Sequence, residues 1–254
     1  MKYYLITNWG TLKETLVAHR YKYHLWLAHI LIQYEERLEF AVHLKERCNL
    51  QVILDNGAYE GCLLETERYL EVCRKLKPWC IVAPDLVGED AAKSLALSRT
   101  FYDRVIAEKI AEKVMIVPQG RTRKEVVETF NLLARQDLPD NIILGIGKCY
   151  ELWGKDELAR TNMFDEIRQG SGFENQKYHI LGAHGWKPTT YYSKFSNVIG
   201  IDSVKPCRCA QGVTLYPTPP TLIMTHETLV PADSVRLKNN IKAFCREYNI
   251  DVSI

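Results

Sequence analysis

Short apolar runs that stop abruptly at a carboxylate, an amide, a glycine or a histidine recur along this chain, and they constrain its fold more than any other feature. They are Val52-Ile-Leu-Asp55-Asn-Gly57, Ile81-Val-Ala-Pro-Asp85, Val114-Met-Ile-Val-Pro-Gln119-Gly120, Ile142-Ile-Leu-Gly145-Ile-Gly147, Tyr178-His-Ile-Leu-Gly-Ala-His184 and Val198-Ile-Gly-Ile-Asp202-Ser203. A strand buried on both faces reads as a continuous apolar run, and its last residue opens into the following loop. Strand-terminating turn chemistry explains any one such ending, because Asp, Asn and Gly favour turns. Several endings of one kind point instead to a shared site, with Asp202 at its centre.

Between these runs lie segments of helical periodicity. Glu65 to Lys77 ends at Pro78-Trp79, and Glu89 to Glu112 carries Ala92, Leu95, Ala96, Ser98 and Tyr102 near helical spacing. Thr122 to Arg135 opens with Thr122 and Glu125 spaced like a capping box. Lys155 to Gln169 is stopped by Gly170-Ser-Gly172, and a last helix is expected from Ala232 to about Tyr248. Residues 2–7 make a first strand and Thr221–Thr225 supplies an eighth. Thr11 to about Arg47 reads as one long helical insertion after strand 1, with an aromatic and basic cluster at His19, Arg20, Tyr21, Lys22, Tyr23, His24 and Trp26. Strand–helix alternation of this kind predicts parallel βαβ units. With right-handed crossovers, the simplest architecture is an α/β fold of one domain over residues 1–254, a closed (β/α)8 TIM-type barrel. An open doubly wound sheet is the competing arrangement.

Composition narrows the function classes. The chain has 254 residues, 46% hydrophobic and 25% charged, which is ordinary globular usage. A net charge of +2 does not by itself mark a nucleic-acid binder, so any phosphate-binding surface must be local. Arg121, Arg123, Lys124, Lys148, Lys187, Lys205 and Arg208 all follow strand ends and are the candidates for it. The eight cysteines are scattered and no secretory leader is evident, so the expected compartment is reducing and cytoplasmic. The apolar segment Leu25–Ile32 is too short to cross a bilayer, and no membrane association is expected.

The strand ends carry chemistry suited to an anomeric carbon. Two carboxylates in one pocket, Asp55 and Asp202, can divide nucleophilic and proton-transfer roles. Asp85 and Gln119 can read a purine edge, since a carboxylate accepts from N–H groups while an amide both donates and accepts. Gly120, Gly145 and Gly147 would let backbone approach a flat ligand. Tyr59 can stack on a base or sugar, and His184 ends a strand and should face the same site.

These residues resemble a family. Asp55-Asn-Gly-Ala-Tyr59 is similar to the Asp-Ser-Gly-Gly-Phe-Gln segment of tRNA-guanine transglycosylases, and Ala83-Pro-Asp85 to their Asp-bearing strand end. Val117-Pro-Gln-Gly120 resembles their Val-Gln-Gly segment, Leu144-Gly-Ile-Gly147 their glycine-bearing strand end, and Gly200-Ile-Asp202-Ser203 the segment with the nucleophilic aspartate. The motifs follow the family's order between about residues 51 and 203. The chain is also similar to the shorter relatives that exchange guanine for a 7-deazaguanine in DNA.

The resemblance implies a pentosyltransferase that exchanges guanine in a polynucleotide for a 7-deazaguanine base. Asp202 would attack the anomeric carbon, Asp55 would be the general acid and base, and Asp85, Gln119 and the backbone at Gly145 and Gly147 would hold the heterocycle. No organic cofactor is implied. The family's zinc site needs a third cysteine soon after a Cys-X-Cys pair, whereas Cys207-Arg-Cys209 is followed by Ala210-Gln-Gly212. The expected cofactor set is therefore empty, and a zinc ion, if held, would use Cys207 and Cys209. The incomplete zinc module favours DNA over tRNA as the nucleic-acid partner. A partner protein or a homodimer is compatible with the sequence. The other readings are a barrel enzyme acting on a small nucleoside or glycoside, and a non-catalytic partner subunit.

Overall fold

The computed structural model describes residues 1–6, 22–148, 150, 159–183 and 190–203. His184, Lys187, Lys205, Cys207, Arg208, Cys209, the strand expected at Thr221–Thr225 and the helix expected from Ala232 lie outside them.

Eight parallel strands close into a barrel in sequence order. They are β1 (Lys2–Ile6), β2 (Tyr23–Leu27), β3 (Gln51–Asp55), β4 (Cys80–Val82), β5 (Lys113–Ile116), β6 (Ile142–Ile146), β7 (Tyr178–Ile180) and β8 (Val198–Ser203). Among the described residues the helices are α1 (Ala28–Leu31), α2 (Glu35–Cys48), α3 (Thr66–Leu76), α4 (Ala91–Ala107), α5 (Arg123–Ala134) and α6 (Ala159–Arg168). The (β/α)8 barrel expected from the alternation is the observed architecture.

One assignment is corrected. The long helix expected from Thr11 to Arg47 contains β2, whose Tyr23–Leu27 pairs with β1 on one side and with β3 on the other. Tyr23-His-Leu-Trp-Leu runs straight into α1 without a break, so its apolar residues satisfy a helical and an extended pattern alike. Counting β2 makes the Asp202 strand the eighth. It pairs with β1 through Lys2↔Gly200 and Tyr4↔Asp202, so the ring closes between β8 and β1.

Alternation along each strand divides the side chains between the barrel interior and the helix layer. Tyr4 reaches across the interior, with its ring centroid 5.6 Å from that of Tyr23, 6.0 Å from Trp79 and 5.4 Å from His179. Its hydroxyl accepts a hydrogen bond from Gln51 Nε2 at 2.9 Å, and Gln51 Oε1 accepts from Lys2 Nζ at 3.2 Å. The closed end of the barrel is thus filled by aromatic rings and a satisfied polar chain. Outward-facing Val52, Leu54, Ile81 and Val114 pack with Tyr69, Leu70 and Phe101 from α3 and α4.

The helices also fix where the strands end. Tyr69 is fully buried, and its hydroxyl lies 3.0 Å from both the Leu54 and the Val82 carbonyl oxygens, tying the ends of β3 and β4 together. Ser98 Oγ donates to the Pro84 carbonyl at 2.9 Å, and Ser94 Oγ accepts from Leu86 N at 3.0 Å, so α4 brackets Asp85 from both sides. The expected Thr122 cap of α5 is present, with Thr122 Oγ1 accepting from Glu125 N. Glu125 reaches back to the Arg121 amide, one residue before the usual partner in a capping box.

Candidate active site

Asp55 and Asp202 are the last interior-facing residues of β3 and β8, so both open into the mouth at the carboxyl ends of the strands. That end of a (β/α)8 barrel is where its chemistry is built. Each is held by the backbone of its own neighbourhood. Asp55 Oδ1 accepts from Gly57 N at 2.8 Å. Asp202 Oδ1 accepts from Gly182 N at 2.7 Å, and its other oxygen, Oδ2, lies 2.9 Å from His179 Nε2. Asp202 and His179 are each only 1% exposed. A carboxylate only accepts hydrogen bonds, so His179 donates through Nε2.

The loop after β7 is shaped to deliver the Gly182 amide. Gly182 has a φ of 61°, a backbone conformation that costs a glycine little. Arg160 of α6 is buried, and its guanidinium donates to the Leu181 carbonyl and, at 3.4 Å, to the Gly182 carbonyl. The same loop closes on β8 where Ala183 N donates to the Asp202 carbonyl oxygen at 2.8 Å.

A second polar group surrounds Asp85, which is 4% exposed. Asn56 Nδ2 donates to Asp85 Oδ1 at 2.6 Å and to the Ala83 carbonyl at 2.7 Å, and Gln119 Nε2 donates to Asp85 Oδ2. Burial pushes the Asp85 carboxyl up to about 6, while the Asn56 and Gln119 donors pull the other way. Asp55 is pushed well above the usual carboxylate range, first by burial and next by the charge of Glu60, with Asp85 and Asp202 adding to it. The Gly57 amide opposes that shift without reversing it. Glu60 is exposed on the rim, yet it is raised as well, by desolvation in the crowded mouth foremost and with a contribution from Asp202, against the pull of Lys148.

Lys148, just past β6, completes the rim. Its ammonium lies over the Tyr59 ring at 5.2 Å from the centroid, and its stem runs beside Gly182. Tyr59 is 49% exposed, a flat apolar surface at the entrance. Among the other basic residues expected to form a phosphate surface, Arg123 pairs with Glu166 at 2.5 Å and Lys124 lies 3.8 Å from Glu128, both on the helix layer.

Three glycines read as ligand-approach positions have packing reasons of their own or lie deeper than expected. A Cβ on Gly145 would lie 2.8 Å from Val117 Cγ2 and 3.1 Å from Met115 Sδ, so the gap at this position is filled by β5 and the residue after it. A Cβ on Gly120 would lie 2.8 Å from Glu125 Cβ, where the loop after β5 meets α5. Gly147 is buried beyond the end of β6, where its carbonyl accepts from the Tyr150 amide at 3.4 Å.

His179 and Asn56 were not among the site residues read from the sequence. His179 sits mid-strand between Tyr178 and Ile180, and this polar residue alternating with apolar ones was the available signal that it faces inward. Asn56 lay inside a motif already singled out, but nothing in the sequence paired it with Asp85. Among the described residues, no three His, Cys, Asp or Glu side chains form a group that could hold a metal ion.

No family model matches the chain. No curated protein matches it. Solved structures match its fold. An HpcH/HpaI aldolase from Desulfitobacterium hafniense DCB-2 is 10% identical, with a TM-score of 0.53, over 86% of this chain and 94% of that one. N-(5'-phosphoribosyl)anthranilate isomerase from Pyrococcus furiosus is 12% identical, with a TM-score of 0.51, over 98% of this chain and 99% of that one. At these identities the likeness is one of fold. Among the described residues, no helix is long and apolar enough to cross a membrane.

Proposed function

We propose that this chain is a base-exchanging pentosyltransferase of the guanine transglycosylase type, acting on a polynucleotide through a covalent aspartyl-sugar intermediate. One observation carries the reading. A carboxylate held at both oxygens, Asp202, shares a mouth with Asp55, whose carboxyl group burial and neighbouring charge push well above the usual range. A positioned carboxylate nucleophile beside a carboxyl group of raised proton affinity is what displacement at an anomeric carbon requires.

Asp202 attacks C1′ of the sugar as the bond from C1′ to the guanine nitrogen breaks, and Asp55 passes its proton to the departing heterocycle. The entering 7-deazaguanine then returns a proton to Asp55 as its nitrogen bonds to C1′, and the ester bond to Asp202 breaks. The configuration at C1′ is retained and both carboxyl groups return to their starting states. Asp85, with Gln119 beside it, offers acceptor and amide groups to the edge of a purine. Tyr59 offers a stacking face.

DNA is favoured over tRNA because the cysteine set at Cys207 and Cys209 is incomplete. A second reading, action on a small nucleoside, draws on the pairing of Arg123 and Lys124 with helix-layer carboxylates, which removes two cations from a phosphate-binding surface.

The test is to trap an adduct. The protein is incubated with guanine-containing DNA and RNA oligonucleotides, denatured, and analysed by mass. A covalent protein–oligonucleotide species that disappears in Asp202→Asn supports the reading. An adduct that persists without Asp202, or none with either nucleic acid, overturns it. Binding that weakens steeply with salt separates a polynucleotide substrate from a small nucleoside.

A further inference from the structure

We infer that His179 is the positioning residue for Asp202, its imidazole Nε2–H setting the orientation of the nucleophile. The inference rests on the proposed function for the name of the reaction, and on geometry for the pairing itself.

The imidazole has little freedom. One flank lies 5.4 Å, centroid to centroid, from the Tyr4 ring at an interplanar angle of 68°. Its Nδ1–Cε1 edge lies over Gly200, where a Cβ would come within 2.7 Å of Nδ1 and 3.1 Å of Cε1. Glycine at that position, two residues before Asp202 on the same face of β8, is what gives the ring its place. The remaining nitrogen, Nε2, then lies 2.9 Å from Asp202 Oδ2.

Two donors from different elements thus fix the plane of one carboxylate, His179 of β7 at Oδ2 and the Gly182 amide at Oδ1. Each oxygen keeps one further lone pair, and one of them can meet C1′. When Oδ1 forms the ester bond, Oδ2 becomes the ester carbonyl oxygen and keeps its hydrogen bond from His179. The donor therefore serves attack and release alike and transfers no proton. A misplacement of about 1 Å in such a nucleophile costs on the order of 100-fold in rate.

The test compares His179→Gln with His179→Asn. The glutamine amide can place an N–H where Nε2 sits, whereas the asparagine amide stops near the place of Nδ1. Adduct formation is measured in a single turnover beside equilibrium binding of the same oligonucleotide. We expect His179→Asn to slow adduct formation about 100-fold with binding within threefold of the parent, and His179→Gln to recover to within tenfold. Asparagine and glutamine variants of equal rate overturn the assignment, and so does loss of binding in parallel with rate.

An activity-independent measurement separates this inference from the functional reading. The imidazole N–H of His179, shielded inside the barrel, should give a downfield proton resonance attached to Nε2, and Asp202→Ala should shift or remove it. A resonance indifferent to Asp202→Ala overturns the pairing. If the resonance behaves as expected but the parent protein forms no adduct, the functional reading fails while the pairing stands.

Discussion

Asp202 raises the proton affinity of Asp55 across the barrel mouth, although β1 and β2 stand between their strands, β8 and β3, in the ring. Burial is the larger cause, and Glu60 adds more than Asp202 does. The sign of the relationship is the one the proposed chemistry needs, since a charge on one aspartate favours the proton on the other.

The alkaline side of the pH–rate profile should therefore belong to Asp55. Its folded-state proton affinity is raised, so the acid form needed for departure of the base persists to higher pH than in an ordinary carboxyl group and is lost as pH rises through the raised value. Single-turnover rates of adduct formation should fall on that side. Asp55→Asn should lower the rate by about 100-fold to 10,000-fold, the usual worth of a positioned general acid, and remove that limb of the profile.

Asp85 should make stability depend on pH in the opposite sense to an ion-paired carboxylate. Its value rises from the ordinary 3.8 to about 6 on folding. The associated stability is fully present below pH 3.8 and is lost as pH rises through about 6, on the order of 3 kcal/mol at most. Asp85→Asn should then raise the urea midpoint at pH 8 relative to the parent and give little gain at pH 4. The same variant should lose affinity for a purine base, read by calorimetry.

Gly200→Ala places a methyl group 2.7 Å from His179 Nδ1. A ring held against Tyr4 has little room to yield, so the substitution should cost about 1–3 kcal/mol of stability as overpacking. Adduct formation should fall by more than tenfold because the imidazole is displaced from Asp202. Thermal unfolding and single-turnover kinetics on one preparation check both effects.

Arg160→Met removes the guanidinium that holds the Leu181 and Gly182 carbonyls. Hydrogen bonds from a charged donor are worth about 1.5–3 kcal/mol each, and carbonyls left unpaired in a buried turn add a penalty. The variant should unfold at lower urea by about 2–4 kcal/mol. A folded fraction should show slower adduct formation because the Gly182 amide is no longer aimed at Asp202.

The order of strand ends, the two aspartates and the Asp85–Gln119 pair were legible along the chain, because a doubly buried strand shows its end as a change from apolar to polar residues. The barrel followed from the strand–helix alternation. The segment Tyr23–Leu27 was not legible, since five apolar-rich residues followed at once by a helix carry no period that separates strand from helix. Its loss from the count displaced the expected closure to residues 221–225, whereas β8 closes directly on β1.

What the sequence alone determined is which chemical groups stand at the ends of the strands. What only the tertiary structure decided is which groups meet: His179 with Asp202, Asn56 with Asp85, and Arg160 with the turn that aims the Gly182 amide. The physical reason is that alternation and apolar runs are local properties of the chain. Such pairings depend on strand register and on how the ring closes, which bring together side chains that no local pattern links.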